Sequence, residues 1–198
     1  KGGHAASPHL SIDPVVISAQ VISAVQTIIS RSTDPVDKAL ISITKINAGT
    51  AYNVIDDQVK MGGTIRTFKK ETRSYIEKRL GELCKGIAEA HGAEIKIQFD
   101  LINKYPPTIN SKKESIFASN VAKDLVGEDK VITDIDPSMG GEDFSYLLEE
   151  KPGTYLYLGQ GDENHKAHLH TTKYDFNDNL LPVGVNFWVE LVKKYFSK

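Results

Sequence analysis

The densest run of chemically capable side chains is His165-Lys166-Ala167-His168-Leu169-His170. Imidazole is the commonest protein metal ligand and an acid–base near neutral pH. His168 and His170, two apart, share a face if the backbone there is extended. A catalytic metal takes about three protein ligands and an open position. Only carboxylates such as Asp143, or the distant His4, are there to complete the set, so spacing alone favours a solvated histidine-rich loop. A second group is Gly140-Gly141-Glu142-Asp143-Phe144. Paired glycines let backbone approach a ligand or another element closely. The two acids fall at a helix start, which fits ordinary capping as well as a site. His4 stands on Gly2-Gly3, and a histidine on such an adaptable loop can donate a hydrogen bond to a developing oxyanion. The alternative is an exposed tail residue. Asn53 and Arg66 form the fourth group. An arginine in a strand, with an asparagine on the preceding segment, can clamp a carboxylate bidentately; an arginine paired with a surface neighbour is the plainer reading. Two residues carry no such expectation: His91, beside Gly92, complements a helix C-terminus, and Cys84 reads as a small core hydrophobe.

These residues must be positioned by the elements around them. Asp13-Pro14 opens a helix, with Asp13 as N-cap and Pro14 in the first turn. Val15, Ile22, Val25 and Ile29 continue it to about Arg31. Residues 40–46 are β-rich, and 59–68 form a second strand weakened by Gly62 and Gly63. Residues 70–90 form the clearest helix, with Gly92 as its stop. Residues 94–103 alternate as a period-2 strand. The chain starts Lys1-Gly2-Gly3-His4, loop material, so it is expected to begin inside a domain after a strand that is not included; a flexible tail is the alternative. With that strand the order is βαββαβ, the ferredoxin-like or split-βαβ arrangement. Pro106-Pro107 makes a stiff connector at a domain boundary. Beyond it come a helix over 112–126, a strand over 130–135, a short helix over 142–150, a strand over 154–158 and an amphipathic helix over 181–196. Two strands cannot supply a covered parallel sheet, so this part is expected to need a partner segment.

Composition narrows the class. The chain has 198 residues, 40% apolar and 25% charged, with a net charge of -2. That composition suits a folded globular chain. Its near-neutrality leaves no electrostatic footprint for nucleic acid or anionic membrane. No apolar run is read as approaching the ~20 residues that span a bilayer. A single cysteine excludes an internal disulfide and any multi-cysteine zinc module, so a cytoplasmic location is expected.

Taken in order, Lys1-Gly2-Gly3-His4-Ala5-Ala6, Asp13-Pro14-Val15, Gly49-Thr50-Ala51-Tyr52-Asn53-Val54-Ile55, Gly63-Thr64-Ile65-Arg66-Thr67-Phe68, Gly141-Glu142-Asp143-Phe144 and Leu169-His170 resemble the metal-dependent aminoacylase/carboxypeptidase amidohydrolases. Hippurate hydrolases, N-acyl-amino-acid amidohydrolases and auxin-conjugate hydrolases belong to that group. The resemblance implies a mixed α+β and α/β chain. Residues 1–108 would be a ferredoxin-like lid, or dimerisation, domain lacking its first strand. Residues 109–198 would be the C-terminal portion of a zinc-peptidase-like α/β catalytic domain. The absent N-terminal portion would bring most metal ligands and a general-base glutamate.

Residue by residue, it implies His170 as the last metal ligand and His4 as the oxyanion donor, often acting across a dimer. Asn53 and Arg66 would hold the substrate carboxylate. Glu142 and Asp143 would line the substrate site in a role the resemblance does not assign, and His168 is not required. Two divalent metal ions are implied, zinc first, with manganese, cobalt or nickel as alternatives. The implied substrate is an N-acyl amino acid, hippurate-like or a small peptide, and a homodimer through the lid is expected. The chain by itself is expected to be inactive. The competing reading is a non-catalytic dimerisation or ligand-binding module. A ferredoxin-like ligand-binding regulator would leave the Gly-Glu-Asp-Phe and Leu-His motifs unexplained.

Overall fold

The computed structural model describes residues 1–100 and 104–197. The chain is mixed α/β and divides into two units. The first comprises Lys1–Pro107 with Met139–Gly141, and the second Thr108–Ser138 with Glu142–Lys198.

In the first unit a two-residue strand, β1 (Gly3–His4), precedes helix α1 (Pro14–Thr27). The helix starts where its sequence dictates: Asp13 Oδ1 accepts from the amides of Val15 at 2.8 Å and Val16 at 3.4 Å. α1 runs on as a π-helical turn, Ile28–Ser32. Then come β2 (Ala39–Asn47), β3 (Val54–Ile55), β4 (Lys60–Thr67) and α2 (Lys70–His91). β2 and β4 pair antiparallel, with Leu40 opposite Arg66 and Ile41 opposite Ile65. The register slips between Ile43 and Lys45, beside Gly62 and Gly63. α2 ends on Gly92 at φ 61°, whose amide reaches the carbonyls of Ala88 and Glu89. Val21, Val25, Ile28, Ile41, Ile76 and Cys84 form the core between α1, α2 and this sheet. Val25 and Ile76 are 0% exposed. Burial of such a side chain stabilises by about 1.5–3 kcal/mol.

One reading of the sequence needs correction here. Residues Pro14–Ser32 form a 19-residue helical run of mean hydropathy 1.3, long and apolar enough to cross a membrane by length and composition. Its apolarity has another use in this fold, because Ile17, Val21, Val25 and Ile28 face the core.

In the second unit α3 (Lys112–Val126), α4 (Phe144–Glu150) and α5 (Leu181–Phe196) match the helices that the sequence predicts. The three remaining strand expectations do not hold. Residues 93–100, 130–135 and 154–158 carry no strand, and 101–103 lie outside the described residues. Alternation prepares a segment for a sheet, but a strand exists only where a neighbour offers its own N–H and C=O groups. Among the described residues the only ladders are β1–β3 and β2–β4. The segment around Tyr155 is fastened to the chain before α3 instead, with the Ser111 amide on the Gly153 carbonyl at 2.9 Å. The helix–strand–strand–helix order of the ferredoxin-like expectation is therefore present, while among the described residues its fourth strand is not.

Candidate functional site

The candidate residues fall on both units, and each group is built by its own neighbours. His4 lies in β1 opposite Val54, and Gly3 lies opposite Ile55. The Ala5 amide donates to the Asn53 carbonyl at 2.9 Å. This small antiparallel ladder brings His4 and Asn53 to adjacent positions, although nearly 50 residues separate them in the chain. The glycines before His4 are needed for close packing rather than for looseness. A Cβ on Gly2 would stand 2.7 Å from the Ile55 carbonyl oxygen and 2.7 Å from Asp57 Oδ1. The Gly2 amide donates to that same Asp57 Oδ1 at 2.8 Å. The free-tail alternative for this segment is thus overturned.

The Ala6 amide donates to His4 Nδ1 at 3.1 Å. An Nδ1 that accepts leaves the neutral ring's proton on Nε2. His4 and Asn53 are both exposed. The ring is therefore a hydrogen-bond donor presented to solvent on a pinned backbone.

Arg66 is half-buried on β4. No carboxylate pairs with it among the described residues, so the neighbour-paired reading does not hold. Its guanidinium lies on Gly141, where a Cβ would come within 2.6 Å of Cζ. One of the two glycines singled out in the sequence thus admits another element. A free guanidinium keeps its planar fork for a carboxylate.

In the second unit Glu142 and Asp143 precede α4. Neither side chain acts as a normal N-cap. The Asp143 side chain makes no cap bond, and the Phe144 amide is a long 3.5 Å from Glu142 Oε1. The backbone does the capping: the Glu142 carbonyl accepts from Ser145 N at 3.2 Å and Ser145 Oγ at 2.6 Å. Glu142's carboxylate is occupied differently. Tyr155 Oη donates to Glu142 Oε2 at 2.8 Å. That hydroxyl, with a further side-chain hydrogen bond involving Asp143, holds the Glu142 carboxyl below the usual range. The same bond, with partial burial, pushes the Tyr155 phenol up to about 12.

His170 is exposed and stands at φ 63°, left-handed for a non-glycine residue. Such a conformation costs on the order of 1 kcal/mol and persists only where its surroundings impose it. The loop that leads to His170 is held by a clasp of side-chain hydrogen bonds. Asp162 Oδ1 accepts from His165 Nδ1, His165 N and Asn164 N, each at 2.8 Å. Buried Asn177 reaches Asp162 Oδ2 at 3.0 Å and the Gln160 carbonyl at 3.3 Å. His165, singled out in sequence as a possible ligand, is thus bound to Asp162. His168 is exposed, and its carbonyl accepts from Thr171 Oγ1 at 2.8 Å. Among the described residues no three His, Cys, Asp or Glu side chains converge to hold a metal ion. His170 is a single candidate ligand.

With this geometry in hand, comparison with known proteins is decisive at the family level. The model of peptidase family M20/M25/M40 matches residues 5–194. The chain belongs to this family. This M20 chain is 36% identical over 197 residues to a hippurate hydrolase of Campylobacter jejuni, covering 100% of the chain and 50% of that protein. It is 35% identical to an IAA-amino acid hydrolase of Arabidopsis thaliana, covering 100% of the chain and 45% of the relative. Among solved structures it resembles a dinuclear metal-binding peptidase of family M20 from Bacillus subtilis. That match has 31% identity and a TM-score of 0.66, over 92% of this chain and 46% of that one. The M20 chain spans about half the length of these relatives.

Sequence reasoning missed three features around the candidate residues: Tyr155 as the partner of Glu142, Gly141 as the bed of Arg66, and the Asp162–His165–Asn177 clasp. The aromatic density of 154–158 was visible as a strand signal. Nothing in spacing aims a phenol at a glutamate thirteen residues earlier.

Proposed function

We propose that the whole protein is a divalent-metal-dependent amidohydrolase. It would cleave the amide bond of N-acyl amino acids, hippurate-like or small peptides, giving a carboxylate and an amino acid. The reading rests on M20 membership and on the hydrolases named above. The observation that carries it is the His4 ring, locked with its proton on Nε2 and exposed on a pinned loop. In this proposal residues 1–108 are the lid, which forms a homodimer, and 109–198 are the C-terminal portion of the α/β catalytic domain.

The chain's own residues would act as follows. His4 Nε2–H donates to the carbonyl oxygen as it gains charge, an interaction worth about 3 kcal/mol per donor in a preorganised site. Arg66, with no carboxylate partner among the described residues, takes the substrate's carboxylate and fixes its orientation. Asn53, beside His4 on the neighbouring segment, shares that task. Glu142 and Asp143 line the substrate side of α4. Divalent metal, zinc first and manganese, cobalt or nickel as alternatives, would supply electrophilic activation. The Bacillus subtilis relative is described as dinuclear, which supports the metal requirement. The described residues by themselves do not fit a metal pair, since only His170 is offered.

The test is His4→Ala in the full-length protein with a hippurate-like substrate. We expect kcat to fall roughly 100-fold with KM little changed. Unchanged kcat would remove His4 from the chemistry.

A second reading keeps support from one observation, the absence of a converging metal-ligand set among the described residues. On that reading the 198-residue chain alone is a non-catalytic dimerisation or ligand-binding module. Metal content separates the two.

A further inference from the structure

The hydrogen bond between Tyr155 and Glu142 is built more firmly than a chance surface contact. Glu142 is fixed at its backbone, where its carbonyl accepts both the amide and the hydroxyl of Ser145, a residue with no exposed surface. Tyr155 is fixed at its backbone too. Asn110 Nδ2 donates to the Tyr155 carbonyl at 2.9 Å, and Asn110 Oδ1 accepts the Tyr155 amide at 2.7 Å. The Tyr155 ring is wedged between Phe144, centroids 5.7 Å apart, and Tyr157, centroids 5.3 Å apart. With backbone and ring both held, the phenol oxygen is a fixed point in the second unit. A glutamate side chain has three rotatable bonds, and tying one carboxylate oxygen to that point removes most of their freedom.

Among the described residues the other oxygen, Oε1, has only the Phe144 amide at 3.5 Å, at the outer limit of a hydrogen bond, together with its neighbour Asp143. An ionised carboxylate accepts and cannot donate. What it takes must therefore be a hydrogen-bond donor or a cation, and an amide substrate offers an N–H. Phenylalanine at position 155 would fill the same space between Phe144 and Tyr157 but could not hold the carboxylate.

We infer that Tyr155 is a positioning residue, whose hydroxyl holds one oxygen of Glu142 so that the other meets an N–H group of the amide substrate. This rests on the amidohydrolase reading above and gives Glu142 the role that reading leaves open.

The experiment uses the full-length protein with Tyr155→Phe, Glu142→Gln and the double variant. Thermal melting confirms that each is folded. The kinetic readout is kcat/KM on an N-acyl amino acid. We expect each single variant to lose roughly tenfold or more, as for a hydrogen bond to a charged group, and the double variant to lose no more than Glu142→Gln alone. A Tyr155→Phe enzyme that melts earlier yet keeps wild-type kcat/KM overturns the proposal, because the tyrosine would then be structural only. So does a double variant whose losses multiply. The second readout needs no turnover: an NMR titration of ring-labelled tyrosines. One tyrosine is expected to ionise at about 12 in the wild type and to move toward 10.0 in Glu142→Gln. If the wild type hydrolyses no N-acyl amino acid, the amidohydrolase reading fails, and the titration alone decides whether Tyr155 holds Glu142. An unchanged curve overturns the holding.

Discussion

The imidazole of His4 takes its tautomer from the amide of Ala6, and the carboxylate of Glu142 takes its position from the hydroxyl of Tyr155. In both cases the chemistry of a side chain is set by one partner that its own identity does not reveal. Asp162 is a third example, with a pH consequence. Its carboxyl is held below the ordinary value of 3.8, first by the side-chain hydrogen bond from His165 and then by the amides of His165 and Asn164. A carboxyl whose folded pKa is depressed contributes stability that is complete above the unfolded value. That contribution is lost as pH falls through the folded value. The loop carrying His168 and His170 should therefore stay clasped at neutral pH and loosen only below about 3.8. Amide exchange at Asn164 and His165, followed from pH 6 to 3, checks this. Protection that is flat across that range would show that the Asp162 carboxylate does not hold the loop.

At the scale of elements, what was legible in the sequence was what neighbours in sequence decide. Asp13 caps an amide two residues on, and Gly92 ends α2 through carbonyls three and four residues back. Asp13 fixes the start of α1 and Gly92 the end of α2, and α2, α3 and α5 fall within a residue of their expected bounds, while α1 gives way to a π-helical turn after Thr27. Strands failed where pairing was required: 94–100 alternates well and stands without a ladder, while Gly3–His4, which reads as loop, gains one from Val54–Ile55. The β2–β4 pair offers a direct check on how tightly two strands meet. Gly63 lies opposite Ile43 at the register slip. A Cβ there would press on the Ser42 backbone, with the carbonyl carbon at 3.0 Å and Ile43 Cα at 3.1 Å. Because backbone cannot swing aside as a side chain can, Gly63→Ala should destabilise the first unit by about 1–3 kcal/mol. A urea melt followed by circular dichroism measures it, and a midpoint equal to wild type would show that the pair has room to spare.

At the scale of the whole molecule, the chain carries features that its own described residues do not complete. α5 has no buried residue, and Trp188 and Phe196 are 63% and 78% exposed. Among the described residues no metal-ligand set converges. We therefore expect the 198-residue chain alone to retain less than about one zinc per chain after gel filtration in zinc-containing buffer, since a catalytic site takes about three protein ligands. Two tightly held zinc ions per chain would show that these residues assemble a centre after all, and would count against the non-catalytic reading. The proposed lid dimer is measured in the same run, as a mass of two chains by light scattering.

From the sequence alone came the helices, their stops, the change of character near Pro107, and an ordered set of motifs specific enough to point to the family. Each of these depends on residues close in the chain or on residue identity. Tertiary structure decided which alternating segments became strands, which glycine made room for Arg66, which nitrogen of His4 keeps its proton, and which phenol holds Glu142. Most of those outcomes depend on atoms brought together from distant parts of the chain; the Ala6–His4 bond is local, but it forms on backbone that pairing with Val54–Ile55 holds in place.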